Sequence, residues 1–308
     1  MGYISKQYIK NYVCRYNKEV GVPYYSYLDF KGLHQDKGTF VNSKKVDIHY
    51  FFYYYDNYKK DKIILFCHGL GPGHTAYLAE IEALAKHGYR VLTLDFTGCD
   101  ASGGEYLGAM TNPTVDAIDL LNHLSLKEEV VVVGHSMGGY TALNLVHMRD
   151  DIHKAVIMSG FLSISLMIHS AVRQKFIANR ICKYERKTNK EIYDLDNVAY
   201  LKTTKDQIFF IQSDDDQMVP YEIGLKIVES IDKPNIKTLK VINRKHNPNY
   251  TDEAINYMNE VFGQYYALIN EKKIKTDEDS IAYFKDVSLA KLVEQDPDII
   301  KQIVDFIA

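Results

Sequence analysis

Four consecutive β-branched residues, Val130, Val131, Val132 and Val133, run directly into Gly134-His135-Ser136-Met137-Gly138-Gly139. A run of valines without polar alternation fits a strand buried on both faces, as in parallel sheets covered by helices. The residues that follow, 140–148, suit a helix, so the serine falls on a sharp turn between strand and helix. Such a turn brings the residues two before and two after the serine close together. Gly134 and Gly138 carry no side chains to collide there, and Gly139 lets the helix pack closely on the strands. In this context the G-x-S-x-G pattern lifts a hydroxyl clear of the sheet and makes Ser136 a candidate nucleophile.

The flanking chain repeats the strand–helix rhythm. Residues 63–67 form the first fully apolar strand and end in His68-Gly69-Leu70-Gly71-Pro72-Gly73. A helix is expected over 76–87 with Gly88 as its C-cap, then a strand at 90–95 and a Gly/Ser-rich loop at 97–104. Pro113 opens a helix over 114–124, and a strand at 154–159 follows the serine turn. Residues 161–205 contain no clear strand. Their helical stretches are apolar at first and basic later, through Arg180, Lys183, Arg186, Lys187 and Lys190. The alternation resumes with strands at 207–212 and 238–242 and a helix at 221–231 between them. A long helix at 250–272, a polar linker at 273–280 and two short helical segments complete the pattern, the last with Asp296 as N-cap before Pro297. Near the start, residues 24–30 and 46–55 read as β segments around a Gly/Asp/Lys turn region at 32–38. The aromatic run at 50–55 suits an antiparallel strand with a partly covered outer face better than a binding platform. The fold class is therefore α/β, a mostly parallel central sheet flanked by helices.

Bulk properties narrow the partners. A formal net charge of −3 gives no reason to expect nucleic acid or an anionic surface as the main partner. Cys14, Cys67, Cys99 and Cys182 are scattered with no C-x-x-C pair, which argues against a zinc site or disulfide framework and suits a reducing compartment. The first residues lack an apolar core of signal-peptide length, and no apolar run reaches bilayer-spanning length. A soluble, cytoplasmic protein is the expectation.

A serine hydroxyl needs a base, an acid to orient that base, and donors for a developing oxyanion. After a G-x-S-x-G turn the acid and then the base follow on later loops. Of the eleven histidines, ten precede Gln174; His246 alone lies beyond, directly after the strand at 238–242. The acid belongs in the loop after 207–212, where Asp214, Asp215 and Asp216 stand side by side. Solvated loop residues or helix N-terminal charges are the other reading of those three. The oxyanion donors are backbone N–H groups, one on Met137 at a helix N-terminus and one on Leu70 in the Gly-rich loop. That loop contains neither form of glycine-rich phosphate-binding motif. His68 is read as a brace for it.

The His68-Gly69-Leu70-Gly71 loop, Asp95-x-x-Gly98 with Ser102-Gly103, Gly134-x-Ser136-x-Gly138, and Asp216-x-x-Val219-Pro220 followed by His246 together resemble the α/β-hydrolase superfamily. The likeness is to its serine esterases, lipases and serine-aminopeptidase-like members, over about residues 62–246. Asp216 is the acid that the resemblance selects, with Asp214 as the alternative. The resemblance also implies that 161–205 is a helical lid inserted after the sixth strand, between core segments 1–160 and 206–308, the latter with a C-terminal helical extension. Two departures stand out: Cys99, Asp100 and Ala101 lengthen the second loop, and the chain after His246 is long. The activity implied is hydrolysis of a small-molecule carboxylic ester through an acyl-enzyme, with no metal or organic cofactor. Amide, peptide or thioester hydrolysis uses the same groups, and a non-catalytic binding protein on this fold is the further alternative.

Overall fold

The computed structural model describes residues 2–59 and 61–308. Eight strands form one sheet: β1 (His34–Val41), β2 (Asp47–Tyr54), β3 (Lys62–Cys67), β4 (Arg90–Leu94), β5 (Glu129–His135), β6 (Lys154–Met158), β7 (Gln207–Ser213) and β8 (Ile236–Val241). Their spatial order is β1-β2-β4-β3-β5-β6-β7-β8. The six strands from β3 to β8 are parallel, and β1 and β2 add an antiparallel hairpin at one edge.

The helices are α1 (Tyr3–Asn11), α2 (Leu78–Lys86), α3 (Asn112–Leu124), α4 (Met137–Met148), α5 (Ile164–Ala171), α6 (Lys175–Thr188), α7 (Lys190–Tyr193), α8 (Asn197–Thr203), α9 (Leu225–Glu229), α10 (Asp252–Asn270), α11 (Asp277–Phe284), α12 (Leu289–Leu292) and α13 (Pro297–Ile307). Side-chain alternation along each central strand feeds two cores. On one face Leu65, Val130 and Val132 meet α3, α4, the 161–205 helices and α1. On the other, Phe66, Val131, Val133 and Phe209 meet Ile81 and Leu84 of α2 and Ile299, Ile303 and Ile307 of α13. The valine run is thus apolar because both of its faces are covered.

Residues 24–30 depart from the expected strand. Ser26 and Asp29 form a reciprocal capping box that folds Tyr27–Asp29 into a 3-10 turn. The first strand lies instead at His34–Val41, beginning inside the expected turn region at 32–38 and running past it. It is an edge strand with Phe40 alone buried, so its polar sequence hides the period-two pattern. The aromatic run lies in the antiparallel β2 as far as Tyr54, with Phe51, Phe52 and Tyr53 buried. The expected helix over 221–231 splits at Gly224, which packs against the Gln212 side chain and the Gly160 carbonyl. The linker at 273–280 already contains the start of α11, opened by a capping box between Thr276 and Asp279.

The 161–205 segment is helical throughout its ordered elements and tied to the body. Phe161, Leu162, Ile164 and Ile168 are buried in the larger core, so its apolar first part anchors it. Asn197 donates to Asn144 Oδ1 at 2.9 Å and to the Leu162 carbonyl at 3.1 Å. The buried Glu185 carboxylate accepts from Tyr8 Oη at 2.6 Å, the Met110 N–H at 2.9 Å and Thr111 Oγ1 at 3.2 Å. Beyond β8, α10 to α12 enclose a small apolar cluster of their own around Val261, Tyr265, Phe284 and Leu292.

Candidate active site

Ser136 stands between the end of β5 and the first turn of α4 at φ 57° and ψ −119°. A non-glycine residue at positive φ is strained, and here the surrounding contacts hold it. Its N–H donates to the Met158 carbonyl at 2.8 Å, and its carbonyl accepts from the Tyr140 N–H. A Cβ at Gly134 would overlap the Gly138 carbonyl, and one at Gly138 would overlap the carbonyl of Cys67. Both glycines are required by close backbone approach.

Three loops at the C-terminal ends of the strands converge on this turn. The loop after β3 brings Gly69 against Ser136, with a Gly69 Cβ position 3.3 Å from Ser136 Cβ. Among the described residues, the Leu70 and Met137 N–H groups have no hydrogen-bond acceptor. His68 braces this loop: its Nδ1–H donates to the Gly69 carbonyl at 2.7 Å, and its Nε2 accepts from the Phe96 N–H at 3.2 Å. Burial pushes the His68 pKa down to about 4, which keeps the ring neutral.

The loops after β7 and β8 interlock, and the three aspartates separate. Asp214 Oδ1 accepts from the Asn243 N–H at 3.0 Å. Asp215 accepts from Ser213 Oγ, the Lys245 N–H and Lys245 Nζ at 2.7, 2.9 and 2.6 Å. Asp216 has a fully buried side chain, and His246 Nδ1–H donates to its two oxygens at 3.0 and 2.9 Å. The Met218 and Val219 N–H groups hold Asp216 Oδ1 from the other side. Asn243 and Lys245 both have positive φ, and Asp214 and Asp215 stabilise that strained backbone immediately before His246. Asp216, His246 and the Ser136 turn are therefore drawn to one edge of the sheet, although no hydrogen bond joins the Ser136 hydroxyl to His246 among the described residues.

Several contributors were not apparent in the sequence. His135, the variable residue before the serine, donates from Nε2 to the His246 carbonyl at 2.7 Å. Its Nδ1 accepts from Tyr77 Oη at 3.1 Å, and its ring meets that of His246 edge-on, with centroids 4.7 Å apart. Burial, and after it the neighbouring His246, pushes the His135 pKa down to about 3. Arg15 donates to the carbonyls of Asp100, Ser102 and Gly104 at 2.7, 3.1 and 2.8 Å, so the lengthened second loop is clamped by the N-terminal segment. Behind the His246 loop lies Glu80, fully buried beside Asn249, Tyr250 and Gln295. Burial pushes its pKa up to about 7 against the hydrogen bonds from those neighbours. Among the described residues, no group of three or more His, Cys, Asp or Glu side chains is arranged to hold a metal ion. No helix among them is long and apolar enough to cross a membrane.

Comparison with known proteins agrees with this architecture. Residues 58–195 match the family model described as serine aminopeptidase, S33. An epoxide hydrolase of Caballeronia sordidicola is 34% identical over 96 residues, covering 30% of this chain and 29% of that protein. Salicylic acid-binding protein 2 of Nicotiana tabacum is 28% identical over 121 residues, covering 38% and 46%. The match thus spans less than half the length of these curated relatives. An esterase of Pyrococcus furiosus superposes with a TM-score of 0.57 at 19% identity, covering 85% of this chain and 97% of that one. Est1E from Butyrivibrio proteoclasticus, solved with ferulic acid bound, gives a TM-score of 0.57 at 14% identity, covering 75% and 98%. The sheet order, the glycine-framed serine turn and the structural likenesses give the chain an α/β-hydrolase fold, and residues 58–195 within it are similar to the serine aminopeptidase, S33 family.

Proposed function

We propose that the protein is a serine hydrolase that cleaves small carboxylic esters through an acyl-enzyme, with Ser136 as nucleophile, His246 as base and Asp216 as acid. The observation that carries this reading is the Asp216–His246 pair, held by interlocked loops at the strained Ser136 turn.

In the reaction, Ser136 Oγ attacks the ester carbonyl carbon while its proton passes to His246 Nε2. Asp216 keeps the imidazole proton on Nδ1 and stabilises the cation that forms. The oxyanion accepts from the Leu70 and Met137 N–H groups, whose lack of other acceptors leaves them available. The bond from carbon to the leaving oxygen breaks as His246 returns its proton to that oxygen. Water then attacks the acyl-enzyme and gives its proton to His246. Collapse of the second intermediate releases the carboxylic acid and restores the Ser136 hydroxyl. The 161–205 helices, which follow β6 beside the serine turn, act in this reading as the lid that shapes the pocket.

Two relatives favour esters. The Pyrococcus neighbour is an esterase, and a probable esterase of Oryza sativa is 29% identical over 102 residues. The aminopeptidase family model makes aminoacyl amides the comparison substrates. A fluorophosphonate probe followed by peptide mass mapping tests the nucleophile, and nitrophenyl esters from acetate to palmitate test the reaction. Absence of an adduct on Ser136 would favour a binding protein on this fold. Faster turnover of aminoacyl amides than of every ester would replace the esterase reading with an amidase.

A further inference from the structure

We infer that Tyr77 and His135 are positioning residues that couple the Leu70 loop to the backbone of His246, so that oxyanion donors and base are held as one unit. The inference rests on the proposed hydrolase reading and concerns a part of the site that Asp216 does not touch.

The directions of the hydrogen bonds follow from chemistry. A carbonyl oxygen only accepts, so the 2.7 Å contact between His135 Nε2 and the His246 carbonyl requires a proton on Nε2. The ring is buried with no carboxylate hydrogen-bonded to it, and a neutral imidazole protonated at Nε2 accepts at Nδ1. The Tyr77 hydroxyl therefore donates across the 3.1 Å to Nδ1. Its oxygen packs directly against the Gly69 backbone, one residue before Leu70, where a Cβ at Gly69 would overlap it. Tyr77 itself follows the same loop, in the short turn His74–Tyr77. The chain of contacts is Gly69, Tyr77, His135, His246 carbonyl.

Tyr77 acts on the tautomer. Without its hydroxyl, Nδ1 loses its donor and the proton is free to move there. Nε2 would then turn a lone pair toward the His246 carbonyl, and attraction would become repulsion. Asp216 holds the His246 side chain, whereas His135 holds its backbone. A carbonyl left without its donor moves or recruits water, and either displaces the imidazole. Positions of reacting groups matter steeply, since misplacement by an ångström costs about a hundredfold in rate.

The test uses the full chain and the variants Tyr77→Phe, His135→Phe, the double variant and His135→Gln, each checked for a cooperative thermal transition. The readouts are the rate of fluorophosphonate labelling of Ser136 and the kcat, KM and pH profile of nitrophenyl acetate hydrolysis. Tyr77→Phe and His135→Phe are each expected to lower kcat about 30-fold or more with KM changed less than about threefold. The double variant is expected to fall no further than the weaker single variant, because both break one chain of contacts. His135→Gln, which keeps an N–H donor, is expected to recover most of the labelling rate. Folded Tyr77→Phe with parental kcat and pH profile would overturn the inference, as would additive losses in the double variant. Failure of the parent protein to label at all would instead overturn the hydrolase reading.

Discussion

The Asp216 carboxylate and the His246 imidazole, 30 residues apart in sequence, meet at 2.9 Å because β7 and β8 are parallel neighbours. Parallel strands end on the same edge of the sheet, so the loops that follow them lie side by side. Asp214 and Asp215 bond to the backbone of the second loop, and this leaves Asp216 to turn inward. Three chemically identical residues thus take three different partners.

The pairing makes a differential prediction. Asp216→Asn is expected to lower kcat for ester hydrolysis by about 10³- to 10⁴-fold, since the amide no longer holds the imidazole in the correct tautomer. Asp214→Asn retains an oxygen that accepts from the Asn243 N–H and is expected to change kcat by less than about threefold. Steady-state kinetics of the two variants in parallel decide the matter, and equal losses would count against Asp216 as the acid.

Removal of the nucleophile or base is expected to have the larger effect. Ser136→Ala and His246→Ala should each lower kcat/KM by roughly 10⁴-fold or more, with the double variant no worse than either. The check is hydrolysis of nitrophenyl acetate, with any contaminating parental-type esterase quantified by active-site titration. A tenth of parental activity in Ser136→Ala would remove Ser136 from the mechanism.

The glycine frame predicts a stability cost rather than a kinetic one. Gly138→Ala would place its methyl group inside contact distance of the Cys67 and His68 carbonyls, where backbone cannot yield as a flexible side chain would. A loss of about 3 kcal/mol is expected, measurable from the urea midpoint. An unchanged midpoint would mean that the serine turn relaxes freely.

Glu80 gives the fold a pH dependence with a definite sign. An unfolded glutamate titrates near pH 4.3, whereas burial raises the folded value to about 7. Between these values the folded state holds the proton and the unfolded state has lost it. Stability from this group is therefore greatest below the unfolded value, falls as pH rises, and is flat above about 7. Glu80→Gln is expected to gain stability relative to the parent as pH goes from 5 to 7.5, by on the order of 3 kcal/mol at most. Thermal unfolding of both proteins at stepped pH tests this, and a constant difference would show that Glu80 titrates normally.

The sequence by itself determined the α/β class and the serine turn. Apolar runs such as Ile63, Ile64 and Leu65 or the four valines have one stable environment, a strand covered on both faces, and the glycines around Ser136 answer a local steric demand. It did not locate β1, whose polar edge position leaves Phe40 alone buried, nor the break at Gly224, which depends on Gln212 and Gly160 far along the chain. The Asp216-x-x-Val219-Pro220 resemblance already selected Asp216, but only the tertiary structure brings its carboxylate to His246 and turns Asp214 and Asp215 elsewhere. Burial and hydrogen-bond direction arise where loops from separate strands meet, so composition and periodicity alone do not tell three neighbouring aspartates apart. The same reason hid His135: its role depends on a carbonyl 111 residues away, brought within 2.7 Å only when the sheet has formed.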